Sequence, residues 1–431
     1  MAIAIAGIFG GTAQSIYVPR LLSSSGKVLS AGIRRMAGLS LLALGVFGVF
    51  AAIAPMLSSV IAPTLDRPGV HLVALMHYAA IFGFCQVIVG QLVTLSWARG
   101  GRFIPATTSA LPSIVAAVPL LLLGHVSTLN LYALLTAGSL LQVLLLAVTS
   151  TRGLRLTAEP LGKVGGLTSA WLGAYAIQQF VVPFEVLIAA HASTGGGAEF
   201  NYAYRGLSVA QLLIVGGVAY AALPDWSDYA RTNARAALER SIARAISLTG
   251  LALSLAAAIG LVASQPLVQL AFQHGSFTAH DTHVVSAILT VALVGFVAEG
   301  VMLVLSPALV ADRRTSAAIT VGMVRTAAVI VLVSIFGLTK GLVGVAIGYS
   351  AANVLALTVL LFYVVRAGML TRRQTQLARS SGLVAVFTIA AAGVLLILDA
   401  PPLARATVVL AVFATATVGL RQGLPRIRVP A

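Results

Sequence analysis

The segment Asn201–Pro224, "NYAYRGLSVAQLLIVGGVAYAALP", decides how this chain must be read. It is apolar and long enough to cross a hydrocarbon core of about 30 Å. Yet it carries Arg205, whose guanidinium stays charged at any biological pH. A charge in that setting must face a partner or a water-filled cavity. The segment therefore reads as a membrane helix with one polar face.

The surrounding sequence extends that reading. Of 431 residues, 59% are hydrophobic and only 9% are charged, against about 25% charged in a soluble domain. Apolar runs recur near 1–22, 36–62, 71–97, 104–125, 130–150, 163–192, 198–223, 241–264, 283–311, 315–337, 341–366, 379–398 and 403–420. This predicts an all-α integral membrane protein of about 13 transmembrane helices joined by short connections. A membrane β-barrel would instead show alternating segments of about ten residues, and the sequence has none.

The net charge of +16 does not point to nucleic acid, because the cations form no single patch. They fall in alternate loops: Lys27, Arg34 and Arg35; Arg99 and Arg102; Arg152 and Arg155; Arg231, Arg235, Arg240 and Arg244; Arg313 and Arg314; Arg366, Arg372, Arg373 and Arg379; and Arg421, Arg426 and Arg428. The positive-inside rule makes those loops, and the C-terminus, cytoplasmic. A bacterial cytoplasmic membrane is the expected location. The same alternation sets Met1 outside, and "MAIAIAGIFGG" has neither the basic flank nor the cleavage site of a signal peptide. Either a helix precedes residue 1 or the chain inserts in an unusual way. The lone Cys85 permits no internal disulfide and reads as a small buried apolar residue.

An internal repeat points to the same missing helix. The stretch from Tyr17 to Pro55 and the stretch from Ala222 to Pro266 each run from a proline-bearing helix end, through a basic segment, to an apolar helix with a late proline. The offset is roughly 205–211 residues, and such weak repeats mark transporter folds. "WARGGRFIPATTSALPSIV" and "VADRRTSAAITVGMV" share a layout at a similar offset. The predicted architecture is two six-helix lobes plus two C-terminal helices, with one helix of the first lobe missing. The expected boundaries are 1–155, 156–370 and 371–431. Pro105, Pro112 and Pro119 punctuate the fourth span and read as a kink, static or hinged.

No nucleotide-binding P-loop, HExxH or GxSxG motif occurs, and neither a catalytic residue nor a cofactor is expected. His274, His280 and His283 with Asp281 have no metal-site spacing and read as a solvated loop. Glu185, Arg205, Glu299 and Arg325 lie within apolar spans, away from their ends. They read either as internal ion pairs, such as Arg205 with Glu185, or as the lining of a polar cavity. In a cavity, a guanidinium would grip phosphate through two parallel hydrogen bonds. The lack of any nucleophile or metal motif favours transport over catalysis.

Several stretches resemble the MurJ/MviN family of lipid II flippases, within the multidrug/oligosaccharidyl-lipid/polysaccharide exporter superfamily. "LVQLAFQHGSFTAHDT" (267–282) is the most specific, and "NYAYRG" is similar to a tyrosine–arginine segment of that family. "GGTAQSIYVP", "GRFIPA", Pro224, Gln179 with Glu185, and "GLVGVAIGYSAANVLAL" with Asn353 in register extend the resemblance over nearly the whole chain.

The resemblance implies a fourteen-helix flippase that moves undecaprenyl-diphosphate-linked peptidoglycan precursor by alternating access. It implies Arg205 as a diphosphate ligand, while Arg325 reads as a second contact from its own charge inside an apolar span. Glu185 and Glu299 become counter-charges or sites for a coupling proton or cation. The helices at 379–398 and 403–420 would hold the lipid tail. Two departures stand out: Ala4 and Ile5 occupy positions where the family has arginines, and Arg325 occupies one that is usually apolar. The partners implied are a polyprenyl-diphosphate-linked saccharide, membrane lipid and a coupling cation, with no nucleic acid; the oligomeric state is not implied. Three alternatives remain open: a flippase for another polyprenyl-linked saccharide, an ion-coupled drug antiporter, and a non-transporting paralogue.

Overall fold

The structure, a computed structural model, describes residues 26–61, 69–98, 101, 103–123, 126–151, 166–211, 214–215, 217–275, 277–312, 314–366, 368 and 407. The regular secondary structure of these residues is helical throughout. Lipid offers no hydrogen bonds, so each backbone must satisfy its own polar groups, and a helix does so within one segment. Six helices among the described residues are long and apolar enough to cross a membrane: Leu72–Trp97, Thr128–Thr151, Leu172–Ala192, Arg235–Phe272, Ala279–Ala311 and Thr315–Arg366. The chain is therefore a multi-pass membrane protein. The spans expected at 1–22, 379–398 and 403–420 lie outside the described residues, residue 407 aside.

The chain divides into two compact units, Met1–Phe180 and Val181–Ala431. The first contains α1 (Gly26–Ala52), α2 (Ala54–Ile61), α3 (Gly69–Ala98), α4 (Phe103–Thr108), α5 (Leu111–Leu123), α6 (Thr128–Thr151) and α7 (Gly166–Gln179). Val89, Val93 and Leu146 form a buried seam between α3 and α6, with Leu92, Trp97 and Val143 packed around it. Neutral polar pairs cross this unit: Ser40 Oγ donates to Gln91 Oε1 at 2.6 Å, and Gln86 Nε2 donates to Ser139 Oγ at 3.0 Å. The fourth expected span is broken into α4 and α5 at Ser109–Ala110, with Pro112 in the first turn of α5. Pro112 has no N–H to bond the carbonyl four residues back, at Thr108, and its ring crowds that carbonyl, which accounts for the break.

The second unit contains α8 (Val181–Ala192), α9 (Gly196–Gln211), α10 (Gly217–Arg231), α11 (Arg235–Phe272), α12 (Ala279–Ala311) and α13 (Thr315–Arg366). The expected helix end at Pro224 is displaced, because α10 continues to Arg231. The polar continuation is anchored by Trp226, which is fully buried and donates Nε1–H to Ser241 Oγ at 2.9 Å. That packing outweighs the end signal read from proline. α11 bends at Ala263 (φ −118°, ψ 17°), three residues before Pro266. The proline ring crowds the preceding turn and removes one backbone donor, which localises the kink.

Thr278 and Asp281 close a reciprocal capping box at the start of α12. The Asp281 carboxylate accepts from the Thr278 backbone N–H at 2.6 Å and from its hydroxyl at 2.7 Å. Two orphan donors at the helix start are thereby engaged. At the other end of α12, Asp312 accepts from Arg235 at 2.6 Å and from Arg314 at 2.9 Å.

Helix α13 folds back on itself at Gly341, where φ is 64° and ψ is −146°. The two arms meet closely: a Cβ on Gly348 would lie 2.6 Å from Val333 Cα, so a larger residue there would push the arms apart. The conformation at Gly341 is one that essentially only glycine adopts. Gly341→Ala has open space for its methyl but not the backbone freedom, and is expected to lower stability by about 1–3 kcal/mol. Denaturation of the purified protein in detergent measures this, and an unchanged midpoint would show that the turn is not strained by a side chain.

Candidate functional site

The second unit brings three of the four expected intramembrane charges into one polar cluster. Glu299, on α12, is buried. Its carboxylate pairs with Arg325 of the first arm of α13. It also accepts from the Tyr349 hydroxyl at 2.6 Å, on the second arm, and from Gln211 Nε2 of α9 at 3.3 Å. Arg325 Nε donates to Asn353 Oδ1 at 2.7 Å, and Asn353 Nδ2 is tied to the Tyr349 carbonyl at 3.0 Å. Gln211 also donates to the Phe296 carbonyl at 3.2 Å. The Tyr204 ring meets the Tyr349 ring edge-on, with centroids 6.5 Å apart.

Glu185, on α8, stands apart in its chemistry. It is 0% exposed, and neither carboxylate oxygen has a hydrogen-bond partner. It lies within electrostatic range of both Arg325 and Glu299. The cluster therefore contains two carboxylates and one guanidinium, of which one carboxylate is fully engaged and the other is not. A buried, unpartnered carboxylate is costly as an anion, so Glu185 is the group best suited to exchange a proton or meet a cation.

Arg205 does not join this cluster. On α9 the buried face is Phe200, Ala203, Leu207 and Gln211. Arg205 falls two residues from both Ala203 and Leu207, so it points to the opposite side, is exposed, and forms no ion pair among the described residues. An Arg205–Glu185 pair is thus not what forms; the pair is Arg325 with Glu299. Helical geometry is the reason, since side chains two apart on a helix diverge by about 200°.

Tyr204, Gln211 and Tyr349 escaped the reading of the sequence, which followed full charges alone. A weaker signal was present. Tyr204 and Gln211 are seven residues apart, and Tyr349 and Asn353 are four apart, so each pair shares one helix face. The histidines at 274, 280 and 283 do not gather into a ligand set, and Asp281 is occupied by its capping box.

The contacts define what replacement should cost. Removing one partner of a buried ion pair strands the other, at about 3–5 kcal/mol. Arg325→Met is expected to destabilise the protein by that amount, and Arg325→Met combined with Glu299→Leu to regain most of it. Thermal unfolding in detergent tests this; a double variant as unstable as the sum of its singles would mean that the pair is not coupled. Tyr349→Phe removes one donor to Glu299 at nearly constant volume and is expected to cost about 1–3 kcal/mol.

Comparison with known proteins completes the description. Residues 4–413 match the family "Lipid II flippase MurJ". A lipid II flippase MurJ from Thermosipho africanus (strain TCF52B) is 32% identical over 107 residues, which is 25% of this chain and 22% of that protein. The aligned part thus spans under a quarter of that relative's length. Among solved structures, lipid II flippase MurJ in an inward closed conformation superposes with a TM-score of 0.69 at 18% identity, covering 98% of this chain and 90% of that one. An outward-facing multidrug resistance MATE family transporter of the MOP superfamily superposes with a TM-score of 0.66 at 16% identity, covering 85% of this chain and 84% of that one. At these identities the structural matches establish a shared fold.

Proposed function

This chain belongs to the MurJ lipid II flippase family, and from that premise we propose that it carries undecaprenyl-diphosphate-linked peptidoglycan precursor across the bacterial cytoplasmic membrane by alternating access. The family match over residues 4–413 is the observation that carries this reading. The protein is a transporter, its C-terminus faces the cytoplasm, and no bond of the cargo is made or broken.

Arg205 binds the diphosphate. It is supported in that role by its exposure and by the lack of an ion-pair partner among the described residues, which leaves both ends of its guanidinium fork free. Such a fork matches two phosphate oxygens with parallel charge-assisted hydrogen bonds. Arg325 differs, being committed to Glu299 and Asn353, although 18% of its side chain remains exposed. It becomes a second diphosphate contact only if Glu299 gives it up. Cargo and carboxylate then compete for one guanidinium, and a proton or cation arriving at Glu299 or Glu185 tips the competition toward cargo. That exchange couples ion movement to binding without any further cofactor.

Ion-coupled antiport of a cationic small molecule is a second reading. Glu185 favours it, as a carboxylate with no internal partner inside an apolar bundle. The two readings differ in which residue they cannot spare: Arg205 for the flippase, Glu185 for the antiporter.

Reconstituted leaflet-exchange assays decide between them. Arg205→Ala is expected to reduce flipping of lipid II at least tenfold, with the unfolding midpoint unchanged because the side chain is exposed. Flipping at the wild-type rate by this variant would overturn the assignment of Arg205. Efflux of cationic dye that depends on Glu185, with no lipid II exchange, would establish the antiporter.

A further inference from the structure

The arginines near the junction of α10 and α11 fall into two chemically different groups. Arg231 is bonded to Asp228 at 2.6 Å. Arg235 and Arg314 share Asp312 at 2.6 and 2.9 Å, and Arg235 also approaches Glu239 at 3.6 Å. Arg240 and Arg244 are exposed and have no acidic partner among the described residues. Arg240 Nε donates to the Ala236 carbonyl at 3.0 Å, which anchors the side chain while leaving its outer nitrogens unused.

These two arginines lie on one stripe of α11. The buried face of the helix is Leu238, Ile242, Ala245, Ile246, Thr249 and Leu253. The opposite stripe runs Arg240, Arg244, Leu248 and on to Ile259. Leu248 is 54% exposed and Ile259 is 44% exposed. Within one turn the stripe changes from two free guanidiniums to outward-facing apolar side chains. Residues four apart rise about 6 Å along the axis, close enough for both guanidiniums to reach one phosphodiester.

We propose that the Arg240–Arg244–Leu248 stripe is a docking site for one anionic glycerophospholipid of the surrounding membrane. Its phosphate lies between the two guanidiniums, and its acyl chain runs along Leu248 toward Ile259. Charge complementarity selects the headgroup, and the apolar continuation selects a lipid over a soluble anion. Glu239 and Asp312 are engaged by Arg235 and Arg314, and no ion pair to Arg240 or Arg244 forms among the described residues. The site is separate from Arg205 and from the Glu299 cluster, and concerns a membrane lipid, not cargo.

The test uses the full chain in detergent micelles, with bound lipid read by native mass spectrometry. Dioleoylphosphatidylglycerol is expected to be retained over dioleoylphosphatidylcholine. Each arginine near a charged membrane surface contributes roughly a factor of five, so Arg240→Gln with Arg244→Gln is expected to weaken phosphatidylglycerol retention about 25-fold. Each single variant is expected to lose about fivefold, which preserves the test if the double variant does not fold. Arg240→Lys with Arg244→Lys keeps the charge and most of the retention, and Arg231→Gln, at an arginine already paired with Asp228, leaves it unchanged. Equal retention of the two lipids by the wild type overturns the proposal. So does retention of phosphatidylglycerol by the Gln variants at the wild-type level. Displacement of the lipid by millimolar inorganic phosphate would show an anion site rather than a lipid site, and would overturn it as well.

Discussion

The carboxylate of Glu299 is the point at which the second unit is held together. Inside an apolar bundle an ionised carboxylate is affordable only when surrounded by donors. Here the donors come from three directions: Gln211 on α9, Arg325 on the first arm of α13 and Tyr349 on its second arm. The positions of α9, α12 and both arms of α13 are thereby made mutually dependent. The turn at Gly341 serves the same end, since Arg325 and Asn353 meet only if the chain reverses between them. Close approach of Gly348 to Val333 brings the arms near enough for that contact.

The two units solve the same problem with different chemistry. The first crosses its interior with neutral pairs, Ser40–Gln91 and Gln86–Ser139. The second uses charge, and adds Glu185, which no donor satisfies. Neutral pairs stabilise a bundle without making it responsive to ions. A charged cluster with one unpartnered carboxylate stabilises it conditionally, because a proton or a cation changes what each remaining group must bond. That difference sets the charged, partly unsatisfied cluster of the described residues in the second unit.

Arg205 and Arg325 illustrate two uses of one side chain. Both are arginines in apolar spans, and composition treats them alike. Arg325 spends its hydrogen-bonding capacity within the protein, whereas Arg205 keeps its own available.

The sequence by itself determined the class of the molecule. Apolar spans, alternating basic loops, the break between the spans at 315–337 and 341–366, and the presence of Glu185, Arg205, Glu299 and Arg325 within apolar spans were all legible, because each is a local property of residue type and spacing. The partners of those charges were not. Arg325 and Glu299 are on different helices, and helices apolar on every side carry no periodic signal saying which face is buried. Of the two readings of these charges, the ion-pair one named Arg205 with Glu185 where Arg325 with Glu299 forms, and Tyr204, Gln211 and Tyr349 were passed over because uncharged polar residues look unremarkable until packing gathers them. The end of α10 was also decided outside the local sequence, by burial of Trp226. Tertiary structure alone settled which arginine is satisfied and which is free, since that depends on helix rotation and on the meeting of chain segments far apart in sequence.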